Sequence, residues 1–250
     1  MKKSYRRATV KAAFAALCVF ACVSPPNTGA GTGWNRGYGQ SVSVASVPFS
    51  AQQKDAAARG DIPVVSGEDE LNALIQKRAA ARYAEFAADA EASEALRMQS
   101  SEAEADRPDY AYNVAWQAGR LDAEYVCVLL DVQWYSGGAH GNGAVETLNW
   151  DLRRRRLVSP EAAVCRAGFD SLAALAERAR GELSRRLNPG GDAARAEWIK
   201  EGTAPRADNY RAFLLEDDGV AFYFQRYQVA AGVYGTQRVK ISRKTGVSGG

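Results

Sequence analysis

Two apolar rhythms alternate along this 250-residue chain and mark out its elements. From Asp69 to about Leu96, Leu71, Leu74, Ile75, Tyr83 and Phe86 recur at helical spacing in an alanine-rich stretch whose other face is charged, which predicts one long helix. Ile62, Pro63, Val64 and Val65 form a short extended segment before it, and Glu68, Asp69 and Glu70 suit the positive end of the helix dipole. Beyond Pro108 the period shortens to two. Residues 110–116 and 125–134 are aromatic and β-branched, with Val126, Val128, Leu130, Val132 and Trp134 on one face and a turn-like stretch at 119–122 between them. Residues 147–152 continue as a strand, so 110–152 read as an antiparallel meander.

The helical period returns at Ser159, Pro160 and Glu161, and again from Phe169 to Leu187, where Leu172, Leu175, Ala176, Ala179 and Leu183 share a face. Asn188, Pro189, Gly190 and Gly191 stop that helix. Further strands follow at 210–215, 220–224 and 235–241, the first two joined by an Asp217, Asp218, Gly219 turn. Strands and helices come in runs, which predicts an α+β fold: an antiparallel sheet with a long N-terminal helix and a second helix packed on it.

The first thirty residues follow neither rhythm. Lys2, Lys3, Arg6, Arg7 and Lys11 lead into an uncharged apolar run at 12–23 that stops before Pro25 and Pro26. A run this short falls below the ~17–25 residues of a spanning helix. It predicts an export signal over residues 1–30, cleaved near Thr28, Gly29 and Ala30. Lipid attachment at Cys22 and a twin-arginine signal through Arg6 and Arg7 are the rival readings, and each places the folded part outside the cytoplasm, with a periplasmic destination.

Removing that segment changes the charge picture. It leaves 27 Lys and Arg against 29 Asp and Glu, so the formal charge goes from +3 to −2. No basic surface for nucleic acid is indicated, and Arg153, Arg154, Arg155 and Arg156 read as a local solvated turn. Residues 31–60, rich in small and polar types, read as a flexible linker. Residues 61–108 then form an N-terminal part with a strand and the long helix, ending in an acidic connection at 100–107; 109–243 form a C-terminal domain, and 244–250 a disordered tail.

In an oxidising compartment Cys127 and Cys165 are expected to form a disulfide, with two separate buried thiols as the alternative. One histidine and no C-x-x-C give no recognisable metal set, nothing calls for a cofactor, and Asp217 with Asp218 reads as an ordinary hairpin turn.

The segment with the most chemistry is Tyr135, Ser136, Gly137, Gly138, Ala139, His140, Gly141 and Asn142, which sets glycines around the single histidine of the chain between two strand-like stretches. Glycine density of this kind permits positive φ or close approach. Three readings stay open. The loop is a hairpin turn whose glycines satisfy geometry; or Tyr135, Ser136, Gly137, Gly138, His140, Gly141 and Asn142 bind a sugar or protein, with Trp134 and Trp150 nearby; or Ser136 and His140 act in a hydrolase or esterase, with Asp131 or Glu146 as orienting carboxylate. Tyr223, Phe224, Tyr227 and Tyr234 read first as sheet packing.

Three stretches together resemble a known extracytoplasmic module: residues 135–142 with 146–152 and 157–164, residues 209–224, and residues 227–235 leading into Val239, Lys240 and Ile241. The module is the domain of unknown function shared by the lysozyme-sensing anti-sigma factor RsiV and the peptidoglycan deacetylase PdaC. Gln228 and Ala231 stand where that family usually has an acidic residue and a proline. The resemblance covers most of 61–243. It implies a non-enzymatic envelope-facing module whose partner is a lysozyme-like muramidase or peptidoglycan. Eleven residues before the apolar run are too few for a sigma-binding domain, and the histidines of a deacetylase metal site are missing, so neither of those whole-protein roles is expected.

Overall fold

The computed structural model of the protein describes residues 34–36, 40–53, 56–99 and 110–242. The expected export signal, Cys22, the 100–107 connection and the 244–250 tail lie outside the described residues. Strands β1 (Trp34–Arg36) and β2 (Gln40–Val42) pair with each other. The main sheet has seven strands. Strands β3 (Val44–Pro48), β5 (Ala56–Val65), β6 (Ala111–Leu121), β7 (Tyr125–Tyr135), β8 (Asn142–Asp151) and β9 (Arg156–Leu157) lie in that order, and β4 (Gln52–Gln53) pairs with β5. Every pairing is antiparallel except that of β5 with β6. A parallel pair needs a crossover, which helix α1 (Asp69–Met98) supplies.

Helix α1 forms because Leu71, Ile75, Ala79, Tyr83, Phe86, Ala87 and Ala90 repeat at three or four residues and all become buried. They cover the sheet face that carries Val126, Val128, Leu130 and Val132, the face expected from the alternation of β7. Tyr112 sits at the centre of this core, 5.5 Å from the Tyr83 ring and 5.4 Å from the Phe86 ring. Truncating a ring such as Phe86 to Ala removes about 3–5 kcal/mol.

The opposite face presents Tyr125, Cys127 and Leu129 to a second core. That core is closed by helix α2 (Pro160–Arg166), helix α3 (Leu172–Leu187) and a three-stranded antiparallel sheet of β10 (Phe213–Glu216), β11 (Gly219–Phe224) and β12 (Gln237–Ser242). Ser159 and Ser171 cap α2 and α3 by accepting from the backbone N–H of Ala162 and Ala174. Asn149, buried, joins the two sheets: its amide donates to Phe213 O at 2.6 Å and accepts from Leu215 N at 2.8 Å. The α+β architecture is thus the expected one, with β7 as the shared wall of two cores.

Three expectations need correction. The region expected as a linker holds strands: Val44 pairs with Val65 and Pro48 with Asp61, and Val42, Val44, Phe49 and Ala58 are buried. These short strands lack a long apolar period and gain order only once β5 offers an edge to pair with. The expected division near residue 108 falls inside one sheet, since β5 is hydrogen-bonded to β6. Cys127 and Cys165 are free thiols: Cys127 points into the second core from mid-sheet, and Cys165 is exposed on α2. Burial pushes the Cys127 thiol pKa well up. Helix α4 (Ala193–Gly202) follows the glycine stop, capped by Asp192, which accepts from Arg195 N at 2.7 Å; residues 193–202 carried no expectation.

Candidate functional site

The glycine-histidine loop is the turn between β7 and β8, whose ladder ends at the pair Trp134 and Asn142. Gly137 and Gly138 have φ of +98° and +94°, the left-handed region that favours glycine. Gly137 is also wedged against α1, since a Cβ there would lie 3.0 Å from Ser93 Cβ. Tyr135 Oη donates to Gly138 O at 2.9 Å, and Gly143 N donates to Asn142 Oδ1 at 3.0 Å. Ser136 and Gly137 are half-buried, while Gly138, Ala139, His140 and Gly141 are exposed.

His140 belongs to two loops at once. Its Nδ1 lies 3.0 Å from Gly141 O, and its Nε2 lies 3.2 Å from Tyr227 Oη. Both ring nitrogens therefore have local partners, and no hydrogen bond joins His140 to Ser136. The carboxylates considered as orienters are engaged elsewhere. Glu146 accepts from Arg82 Nε at 2.7 Å on the α1 side, and Asp131 accepts from Gln133 at 2.7 Å. The structure thus brings Tyr135, Gly138, His140 and Gly141 together and leaves Ser136, Asp131 and Glu146 outside any relay.

The partner segment, residues 225–235, is held by two glutamine amides. Gln225 pairs with both backbone groups of Val145, donating to its O at 2.8 Å and accepting from its N at 3.1 Å. Gln228 donates to Gly202 O at 3.0 Å and Asn209 O at 3.1 Å while its Oε1 accepts from Gln225 N at 2.9 Å. A carboxylate at 228 lacks the N–H donors those two carbonyls require, so the departure at Gln228 has a structural use. Between the two amides Tyr227 takes φ of +66°, and its ring lies over Gly232, where a Cβ would fall 2.3 Å from Tyr227 Cζ.

Around Tyr227 the surface is aromatic. Trp198 of α4 donates from Nε1 to Tyr227 O at 3.0 Å, and Arg195 stacks over the Tyr234 ring at 5.4 Å. Trp198, Tyr227 and Tyr234 remain 40%, 44% and 42% exposed, and Val233 is exposed beside them. Tyr223 and Phe224 are buried as expected, but Tyr227 and Tyr234 are not: the chain leaves β11 at Phe224, so neither lies in a strand. Trp134 and Trp150 belong to the α1 core, where Trp150 Nε1 donates to the buried Glu68 at 3.0 Å. Sequence reasoning missed Trp198 and Arg195. The available signal was a tryptophan beside Ile199 on a short helix, one residue turned out and the next buried.

Comparison with known proteins gives two successive matches. Residues 51–143 match the family described as "Deacetylase PdaC", and residues 163–244 match "Protein of unknown function (DUF3298)". The chain is 31% identical over 131 residues to the peptidoglycan-N-acetylmuramic acid deacetylase PdaC of Bacillus subtilis (strain 168). That match takes in 52% of this chain and spans 27% of the relative's length. Crystal structures of DUF3298 family proteins from Pseudomonas aeruginosa PAO1 and Bacteroides fragilis NCTC 9343 have TM-scores of 0.53 and 0.54 at 17% identity, each comparison covering 80% of this chain and 90% of the other. Together these findings identify a PdaC-type DUF3298 module in this chain.

Proposed function

We propose that this chain is an exported, non-enzymatic cell-envelope module that binds peptidoglycan on the surface where loop 135–142 meets Tyr227, Trp198 and Tyr234. The observation that carries this reading is the 3.2 Å contact between Tyr227 Oη and His140 Nε2, which joins exposed backbone donors to a set of exposed aromatic faces. Sugar rings suit such a surface, because their apolar faces stack on aromatics while hydroxyls take backbone and imidazole hydrogen bonds. A relative that matches 131 residues of this chain bears the name of a peptidoglycan-N-acetylmuramic acid deacetylase, which supports peptidoglycan as the ligand class. Hydrolysis through Ser136 and His140 is the weaker reading, since nothing orients the imidazole toward the serine.

The experiment is cosedimentation with purified, insoluble peptidoglycan, comparing the unaltered protein with Trp198→Ala and Tyr227→Ala. Loss of cosedimentation in both variants at unchanged thermal stability supports the site. Unchanged cosedimentation in both overturns it. Soluble lysozyme, titrated in parallel by calorimetry, tests the other ligand class implied by the family resemblance: lysozyme binding without peptidoglycan binding replaces the ligand and keeps the surface.

A further inference from the structure

The β7–β8 ladder runs from Trp134 and Asn142, beside the loop, to Tyr125 and Asp151 at its other end. The nine residue steps from Tyr125 to Trp134 put those ends about 30 Å apart at ~3.3 Å per residue. At the far end the chain turns through 152–155 into β9 and α2, and a cleft of about 430 Å³ opens there, lined by Asp151, Arg154, Arg156, Ser159, Ala162 and Arg166 among others. Three guanidiniums face one carboxylate in that lining.

The carboxylate is already used. Asp151 Oδ1 accepts from the backbone N–H of Arg153 at 3.0 Å and Arg154 at 2.9 Å, and its Oδ2 takes the Arg154 guanidinium at 2.8 Å. Arg155 turns away to Glu68 and Glu70. Glu161, in the first turn of α2, is bonded by its own backbone N–H and by the Ser159 hydroxyl and is not part of the lining. Two arginines remain. Arg166 donates to Tyr125 Oη and lies 4.5 Å over the Tyr125 ring, which fixes its plane and leaves other N–H donors open. Arg156 is exposed, with no carboxylate partner among the described residues.

We infer that this cleft is a phosphate-binding site in which Arg156 of β9 and Arg166 of α2 are the ligands. A solvated turn accounts for Arg153, but it does not account for two guanidiniums from separate elements converging on one cavity after the other charges are paired off. Phosphate suits two guanidiniums arriving from separate elements better than carboxylate does, because its oxygens point in different directions around a tetrahedral centre, whereas the two oxygens of a carboxylate lie in one plane with its carbon. The phosphate is either a free ion or one link of a phosphodiester polymer.

Amide correlation spectra of the purified protein at low ionic strength test this, with inorganic phosphate and poly(glycerol phosphate) as separate probes. Saturable shifts confined to residues around 151–166 are expected with at least one probe, and Arg156→Gln should weaken that affinity about tenfold, the effect of losing a charge-assisted fork. Arg178→Gln on α3 should leave it unchanged. Arg166→Gln should act like Arg156→Gln, but Arg156, being exposed, carries the test alone if loss of the Tyr125 stack disturbs folding. Tighter binding of the polymer per phosphate identifies a polymer ligand, and equal binding identifies the free ion. Unaltered affinity in Arg156→Gln, or shifts spread over every arginine-bearing surface, overturns the site.

Discussion

Tyr227 and His140, 87 residues apart in sequence, meet through Oη and Nε2 at 3.2 Å. The glutamine pair at 225 and 228 fixes one side of this contact, and the wedging of Gly137 against α1 fixes the other. Two loops that are separate in sequence thereby present one surface.

Tyr227→Phe isolates that contact, because it keeps the ring over Gly232 and removes only the hydroxyl. An exposed hydrogen bond contributes at most about 1 kcal/mol, so the melting temperature should hardly move. Peptidoglycan cosedimentation should fall several-fold. A large loss of stability with unaltered binding would make the contact purely structural.

Gly60→Ala tests the pairing of β5 with β6. Gly60 has φ of +117° and lies opposite Val114, whose carbonyl oxygen would be 1.8 Å from an added Cβ. Neither partner is a flexible side chain, so the ladder itself must open. Urea unfolding should show a loss of more than about 2 kcal/mol, well beyond a surface substitution. An unchanged midpoint would place the pairing elsewhere.

The two thiols should behave differently toward a water-soluble disulfide reagent. Cys165 is exposed and should react within the first fast phase; Cys127 is enclosed by the second core, with its thiol pKa raised by burial, and should react only on unfolding. Cys165→Ala should remove one fast equivalent and Cys127→Ala none. Protection of both thiols, released by reductant, would show them bonded after all.

Asp151 should sharpen acid unfolding. Burial opposes its charge, but the backbone N–H and guanidinium of Arg154, with the backbone N–H of Arg153, outweigh burial and hold the carboxyl below the usual ~3.9. A depressed carboxyl stabilises above its unfolded pKa and loses that contribution as pH falls through the folded value. Stability measured by urea titration should therefore drop below about pH 4, and Asp151→Asn should flatten that limb while lowering stability at pH 7. Parallel curves for the two proteins would remove Asp151 from the account.

Much of the fold was readable because burial follows period. The three- and four-residue spacing of Leu71, Ile75, Ala79, Tyr83 and Phe86 can bury one helical stripe, and the alternation of Val126, Val128, Leu130 and Val132 can bury one strand face, wherever the partner comes from. The strands at 44–48 and 56–60 escaped because their order comes from edge hydrogen bonds, which leave little trace in side-chain type. The second face of β7 was visible only as unbroken apolar character, and the element that covers it is a separate sheet some eighty residues later.

The sequence by itself determined the two periods, the helix start at Ser159, and a glycine-histidine loop that had to be a turn, because each is set by local backbone sterics and nearest-neighbour hydrogen bonds. Only the tertiary structure decided that His140 faces Tyr227 and not Ser136, that Trp198 stands beside them, and that Cys127 and Cys165 are separate free thiols. Those relations depend on how β8, α4 and residues 225–235 pack around one core, and no local spacing encodes a contact between segments 87 residues apart.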